Sequence, residues 1–516
     1  MLSFTVIGVF CLFVSVIFTL VTLYLRWHFD YWRKRGVHGP QPNLLTGTFP
    51  KSSAGQCNLL EELHEIYLRY KATQKYVGIF TARTPKLFIC DPQLALQILT
   101  QHFKHFRDNE SSQWTNAHVE QMRLSSPFVS IGEEWKARRS ELVPALTLNK
   151  IRSFYSVMRD SAQKTIDFLA AASTQTQDVK EVANRYTAQF MSNFIWGIEA
   201  NAFAVPSKTT APSASLSPVH CMARDIISQS LQCVRYYGRT AAWPWLRKLH
   251  PVRFFPIAAD RFFQQLLVDA VKARSKQATE GGGVRRGDVI DHLQQLRDKK
   301  SLNGIQIAGH TTTILIDGYE TAAILIAHCL LLLARNARVQ QKLREELLSI
   351  DGADDSFDVL NELPYLEQCL QETLRLFPPL STLFKLCTKT ITLQNADKSI
   401  VTLHPGDAVY ISTYSFHRDA DYFENPETFW PERFAEELGG VRKYREMGVF
   451  MPFGDGPRMC PGMKLGLAEA KVAVSELVRS FQVTPASNMR TDNKIAADSF
   501  LLTLDGTIEL EFKRLN

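Results

Sequence analysis

From Leu2 to Leu25 the chain carries no charged residue, LSFTVIGVFCLFVSVIFTLVTLYL, and this run constrains the fold more than any other stretch. A segment so apolar satisfies its backbone polar groups by bonding them to one another. A single helix does this across the ~30 Å hydrocarbon layer of a bilayer. A cleaved signal peptide would have charge ahead of a shorter apolar region and a small-residue cleavage site behind it. Here the charges follow, at Arg26, Arg33, Lys34 and Arg35. This order predicts an uncleaved transmembrane anchor over 1–25, with the main body on the cytosolic side by the positive-inside rule.

Residues 26–50 form a basic, proline-containing linker, in which RGVHGPQPN reads as a stiff, extended spacer. The remainder, 51–516, is one large body. At 45% hydrophobic and 22% charged residues overall, the chain has ample material for a core and is not disordered by composition. Its formal charge of +7 is scattered and accompanies no nucleic-acid-binding motif, so nucleic acid is not an expected partner. A solvated basic surface accounts for the charge, and a local basic face for an acidic protein partner stays open. The nine cysteines form no CxxC pair, which argues against a zinc module and a secreted disulfide framework.

Long stretches have helical spacing, as in Ile314, Ile316, Tyr319, Ala323, Ile326 and Leu330 to Leu333, whereas strand patterns are brief: LFIC (87–90), AVYIST (408–413) and TIELEF (507–512). The expected fold class is mainly α with small β-sheets. Residues 205–218 and 278–288 read as loops. The segment 236–255, with Trp243, Trp245, Phe254 and Phe255 among basic residues, suits either the membrane interface or ordinary helix packing.

The stretch FGDGPRMCPG (453–462) places one cysteine in a glycine- and proline-constrained loop ahead of a helical pattern through Leu467, Val474, Leu477, Val478 and Phe481. A cysteine at a helix N-terminus has its thiolate stabilised by free N–H groups and the helix dipole. Gly454 and Gly456 are expected to let amides approach the sulfur, with Arg458 adding positive charge. Cys460 is therefore a candidate thiolate metal ligand. A buried unreactive cysteine, or a nucleophile served by one of the 13 histidines, remains an alternative at this level. GDGPR lacks the spacing and the ending of a phosphate-binding P-loop.

FGDGPRMCPG resembles the haem-binding loop of the cytochrome P450 superfamily, FxxGxRxCxG, at every defined position. In the same order, WKARR (135–139) resembles its Trp-x-x-x-Arg, DGYET (317–321) its distal-helix Ala-Gly-x-Glu-Thr, ETLR (372–375) its Glu-x-x-Arg, and FWPERF (429–434) its PERF segment. The resemblance spans essentially the whole chain. YLEQCLQETLRLFPPL and MPFGDGPRMCPGMKLG are most similar to insect microsomal enzymes of the clan that contains family 6.

The resemblance implies the cytochrome P450 fold with an N-terminal transmembrane helix, and haem b with Cys460 as axial ligand. It implies propionate contacts from Trp135, Arg139 and Arg458, with Lys385 where relatives usually carry an arginine. Phe453 and Gly462 belong to the loop that holds the cofactor. Glu372, Arg375 and Arg433 are implied as a structural network. Glu320 and Thr321 match an acid and alcohol pair that handles protons for oxygen activation, and Gly318 is expected to leave room above the haem.

Asp317 departs from the pattern, replacing a small alanine on the face shared with Thr321. It either charges and narrows the oxygen pocket or pairs with a nearby cation. The implied activity is monooxygenation of an apolar small molecule at the endoplasmic reticulum membrane. The implied electron donor is NADPH-cytochrome P450 reductase, with cytochrome b5 a further candidate, docking on Lys136, Arg138, Arg442, Lys443, Arg445 and Lys464. The alternatives are a haem-binding membrane protein without turnover, and a reductase-independent isomerase or dehydratase.

Overall fold

Asn303 begins the longest core helix with a reciprocal cap. Its side chain accepts the N–H of Gln306, whose own side chain accepts the N–H of Asn303. The helix then runs without proline from Gly304 to Arg335, and most of its length is apolar on every side. A helix apolar all round belongs inside a protein or a bilayer. Here 78% of its most apolar window is buried inside the molecule, whereas none of the Phe4–Arg26 window is. The two helices long and apolar enough to cross a membrane thus divide into a core helix and an exposed N-terminal one.

The computed structural model describes residues 2–116, 118–172, 174–204, 217–279, 286–350 and 355–515. Of the expected loops, 205–216 and 280–285 lie outside the described residues. The fold is mainly helical with small sheets. Around the long helix pack Val179–Trp196, Met463–Ser480 and Pro364–Leu376, with Tyr155–Ala171 against the first two, all sharing one large apolar core. A second core lies between a five-stranded sheet and the helices Leu59–Tyr70 and Pro92–Leu99. The strand order in that sheet is Tyr76–Thr81, Thr84–Ile89, Ala408–Ser412, Thr382–Leu386 and Asp108–Asn109. Only Thr84–Ile89 and Ala408–Ser412 run parallel. The register Asn109↔Lys385 sets these two side chains at one edge, where they matter for the site.

All three expected strands exist with shifted ends. LFIC falls in Thr84–Ile89, and TIELEF in Glu509–Arg514. AVYIST stops at Ser412, whose hydroxyl accepts the N–H of Ser415 and starts a short helix at Thr413. The expected spacer is tied down along the sheet: Trp32 and Val37 enter the second core, and the Gly78 N–H donates to the His38 carbonyl at 2.7 Å. In segment 236–255, Trp243 packs with Leu25 at the end of the N-terminal helix, Phe254 and Phe255 join the main core, and Trp245 is exposed.

Candidate functional site

Two left-handed glycines, Gly454 at φ +71° and Gly456 at φ +69°, fold the loop ahead of Cys460. A Cβ on Gly456 would stand 2.0 Å from the Leu99 carbonyl oxygen, so no side chain fits there. These glycines thus serve turning and packing, not the approach of amides to sulfur that the spacing led us to expect. The amides that face the thiol are those of Gly462 and Met463, free because they open the helix Met463–Ser480. The Cys460 N–H is itself tied to the Phe453 carbonyl at 2.9 Å. Burial pushes the Cys460 thiol up to about 11. The Gly462 amide opposes this, Asp317 adds to it, and Arg139 and the Met463 amide oppose it. The protein's own groups favour the neutral thiol, so a bound metal cation is what would make it a thiolate.

Across from this loop, Asp317 and Thr321 break the burial of the long helix. Asp317 has open surface and Thr321 is half-open, while Ile314, Leu315, Tyr319, Glu320 and Ala322 are packed. Burial nevertheless pushes the Asp317 carboxyl up to about 7, with Arg123 opposing. Open surface on a group this deep places it on the wall of an internal space, and its charge is felt at Cys460 on the other side. The Thr321 hydroxyl donates to the Asp317 carbonyl at 2.5 Å, one turn back, which leaves its oxygen free to accept.

Glu320 follows a different direction. Consecutive helical residues project about 100° apart, and the Glu320 carboxylate turns to Lys180 of Val179–Trp196, 2.9 Å away. Gly318 does not open the space either: a Cβ there would meet Met191 Cε at 2.7 Å, so its bare face serves the helix crossing. Lys180→Met is expected to leave the buried Glu320 without its cation, lowering stability by about 1 to 2 kcal/mol because Lys180 is partly solvated. Adding Glu320→Gln should recover most of that loss in thermal denaturation.

Cationic and N–H groups from the helix Gly132–Leu142, the cysteine loop and the strand Thr382–Leu386 gather near Cys460 and one another. Trp135 is buried beneath Arg458, whose Cζ is 4.5 Å from a ring centre of the indole. Arg458 donates to the Pro127 and Ser130 carbonyls, both at 2.9 Å, and to Asp108 at 3.1 Å. Its Nε is buried with no partner among the described residues. Arg139 lies near enough to influence Cys460. Lys385 is buried, donates to Asn109 at 2.9 Å, and is pushed down to about 7 by burial with Arg458 adding and Asp108 opposing. A soft sulfur donor facing an internal space, rimmed by cations with unspent donors, suits a flat, iron-bearing dicarboxylate such as haem.

Glu372, Arg375 and Arg433 form a buried network. Arg375 grips Glu372 with two bonds of 2.7 and 2.8 Å, and Arg433 Nε reaches the same carboxylate at 3.0 Å. Arg375 also donates to the His417 carbonyl at 2.8 Å, and the His417 ring accepts the Met451 N–H at 3.1 Å, just ahead of the cysteine loop. Burial holds His417 far below the usual histidine range, to about 3, so its ring stays neutral and can accept. Sequence reasoning missed His417, Lys180 and Arg123. None lies in a recognisable motif, and only folding brings them to the site.

The expected docking cluster is partly neutralised. Arg138 pairs with Glu134 and Glu141, Arg442 with Glu446, and Arg445 with Asp455. Lys136, Lys443 and Lys464 are exposed and make no ion pair among the described residues.

The family model for cytochrome P450 matches residues 37–512. Among curated proteins, the chain is 35% identical to probable cytochrome P450 28d1 of Drosophila melanogaster, over 98% of each chain. It is 33% identical to probable cytochrome P450 309a1 of the same species over 99% of each chain. Its identity to probable cytochrome P450 6a13, also from Drosophila melanogaster, is 28%, over 96% of this chain and 97% of that one.

Proposed function

Because the chain belongs to the cytochrome P450 family, and is a haem-thiolate monooxygenase, we propose that Cys460 is the axial ligand of its haem b and that it oxygenates an apolar small molecule with electrons from NADPH through a reductase. The observation that carries this reading is the thiol of Cys460, backed by the Gly462 and Met463 amides, facing Asp317 and Thr321 across an internal space. Bound haem supplies the activation of dioxygen and the insertion of one of its oxygen atoms into the substrate.

The residues of the chain do the rest. Cys460 donates its sulfur. Trp135, Arg139, Arg458 and Lys385 hold the carboxylates of the cofactor, and Phe453 and Gly462 shape the loop. Thr321 accepts and passes a proton at Oγ1, and the carboxyl of Asp317, on the same face, exchanges one at neutral pH. Glu320, held by Lys180, is one step further from the space. The helix Leu2–Arg26 anchors the protein, 26–50 links it to the catalytic domain 51–516, and we place that domain on the cytosolic face of the endoplasmic reticulum. Lys136, Lys443 and Lys464 give the reductase, or cytochrome b5, a positive face that speeds encounter.

The test is NADPH consumption and oxygenated product formation by the full-length protein reconstituted with the reductase over a panel of apolar compounds. Product that requires both NADPH and reductase supports the reading. Turnover without either would identify an isomerase or dehydratase, and no turnover with intact thiolate-bound haem would identify a binding protein.

A further inference from the structure

Arg123 stands in the wall near Asp317, with no ion-pair partner among the described residues. It lies on the short helix Gln121–Leu124, which meets the long helix where Gly309 lets backbones approach: a Cβ there would be 2.4 Å from the Met122 carbonyl oxygen. Arg123 is 8% exposed, and its Cζ is 3.4 Å from the centre of the Phe254 ring. Phe254 stacks in turn on Tyr237, with 6.0 Å between ring centres. Among the described residues no carboxylate pairs with Arg123, and its Nη1 is buried without a partner.

The neighbouring acids are engaged elsewhere or too far away. Glu120 accepts the N–H groups of Phe254 at 2.7 Å and Asn116 at 3.2 Å, and Asp260 pairs with Arg253. Asp317 acts on Arg123 only through its field. Burial lowers the Arg123 guanidinium to about 10, which leaves it charged at neutral pH. A buried, unpaired guanidinium is costly to maintain, and a planar fork of donors matches a carboxylate.

We propose that Arg123 is the anion-binding pole of the substrate chamber, and that the enzyme takes amphipathic substrates carrying one carboxylate on an apolar body. The carboxylate would seat on Arg123, with the body along Phe254 and the open face of the long helix. A single cation beside Glu120 and Asp317 suits one negative charge and disfavours a doubly charged phosphate. Arg123 is a specificity residue in this reading and takes no part in oxygen chemistry. The inference rests on the monooxygenase reading for its chamber, and the test separates the two.

Full-length holoprotein in phosphatidylcholine discs is titrated with dodecanoate, methyl dodecanoate and dodecan-1-ol, read by calorimetry and by the Soret shift. Dodecanoate should bind about tenfold more tightly than its ester. Arg123→Gln should erase that preference, and Arg123→Lys should keep part of it. At pH 8, where a carboxyl pushed up to about 7 is mostly ionised, Asp317→Asn, which removes that like charge, should tighten dodecanoate about threefold or more and leave the ester unchanged. Equal binding of acid and ester by the parent protein overturns the proposal, as does a preference that survives Arg123→Gln. If Arg123→Gln fails to fold, Asp317→Asn decides: selective tightening supports the proposal, and no change overturns it. Loss of the carbon monoxide Soret band in the parent protein would instead count against the thiolate reading, and calorimetry would still decide the carboxylate preference.

Discussion

Cys460→Ser is expected to yield protein that, reduced under carbon monoxide, lacks the strongly red-shifted Soret band of the parent, with NADPH-driven oxygenation falling to background. The physical reason lies in the site's electrostatics. Burial already pushes the Cys460 thiol up to about 11, so an anionic sulfur there requires a metal cation, and a serine hydroxyl is far harder to deprotonate. The backbone should not suffer. The Phe453 carbonyl accepts the N–H of residue 460, and Gly456 makes its contact with Leu99, whichever side chain stands there. Wild-type circular dichroism together with a lost band is the expected pair of results. A band of unchanged position and intensity in Cys460→Ser would remove Cys460 from the role of ligand.

Glu372→Ala should be as damaging by a different route. Glu372, Arg375 and Arg433 are at most 2% exposed, and both guanidiniums share one carboxylate. Removing it strands two buried charges, a loss of about 3–5 kcal/mol, comparable with much of a domain's net stability. The effect should reach the cofactor, because Arg375 holds the His417 carbonyl and the His417 ring holds the Met451 N–H. The measurement is haem content per chain together with the urea midpoint, beside Glu372→Gln, which keeps the shape and removes the charge. Both variants should bind less haem, Ala less than Gln. Full haem occupancy and an unmoved midpoint in Glu372→Ala would show the network to be dispensable.

Much of this protein is legible along the chain. The uncharged run to Leu25, the period of the long helix and the cysteine loop each depend on residues close in sequence. Their backbone needs follow from local chemistry: hydrogen bonds closed within one helix, a left-handed turn only glycine makes easily, and a helix N-terminus with free amides. The same locality explains how the strands could be found while their ends were misjudged. Ser412 ends its strand because its hydroxyl caps a helix, a choice that the alternating pattern does not express.

Other features depend on partners distant in sequence. Glu320 and Thr321 read as a pair because DGYET resembles the family's distal-helix motif, yet helix geometry sends one towards Lys180 and the other towards the internal space. Gly318 reads as room for a ligand and proves to be room for Met191. Arg123 carries no motif, and its importance arises only when Phe254 covers it and, among the described residues, no acid pairs with it. Burial is a property of the assembled core, and it sets which charges are paired, which protons are held and which donors stay unspent. The run of residues therefore specified the exposed apolar N-terminal helix, the helical class and the sulfur loop. Packing alone assigned each charged group its partner, because the cost of desolvating a charge depends on neighbours hundreds of residues away.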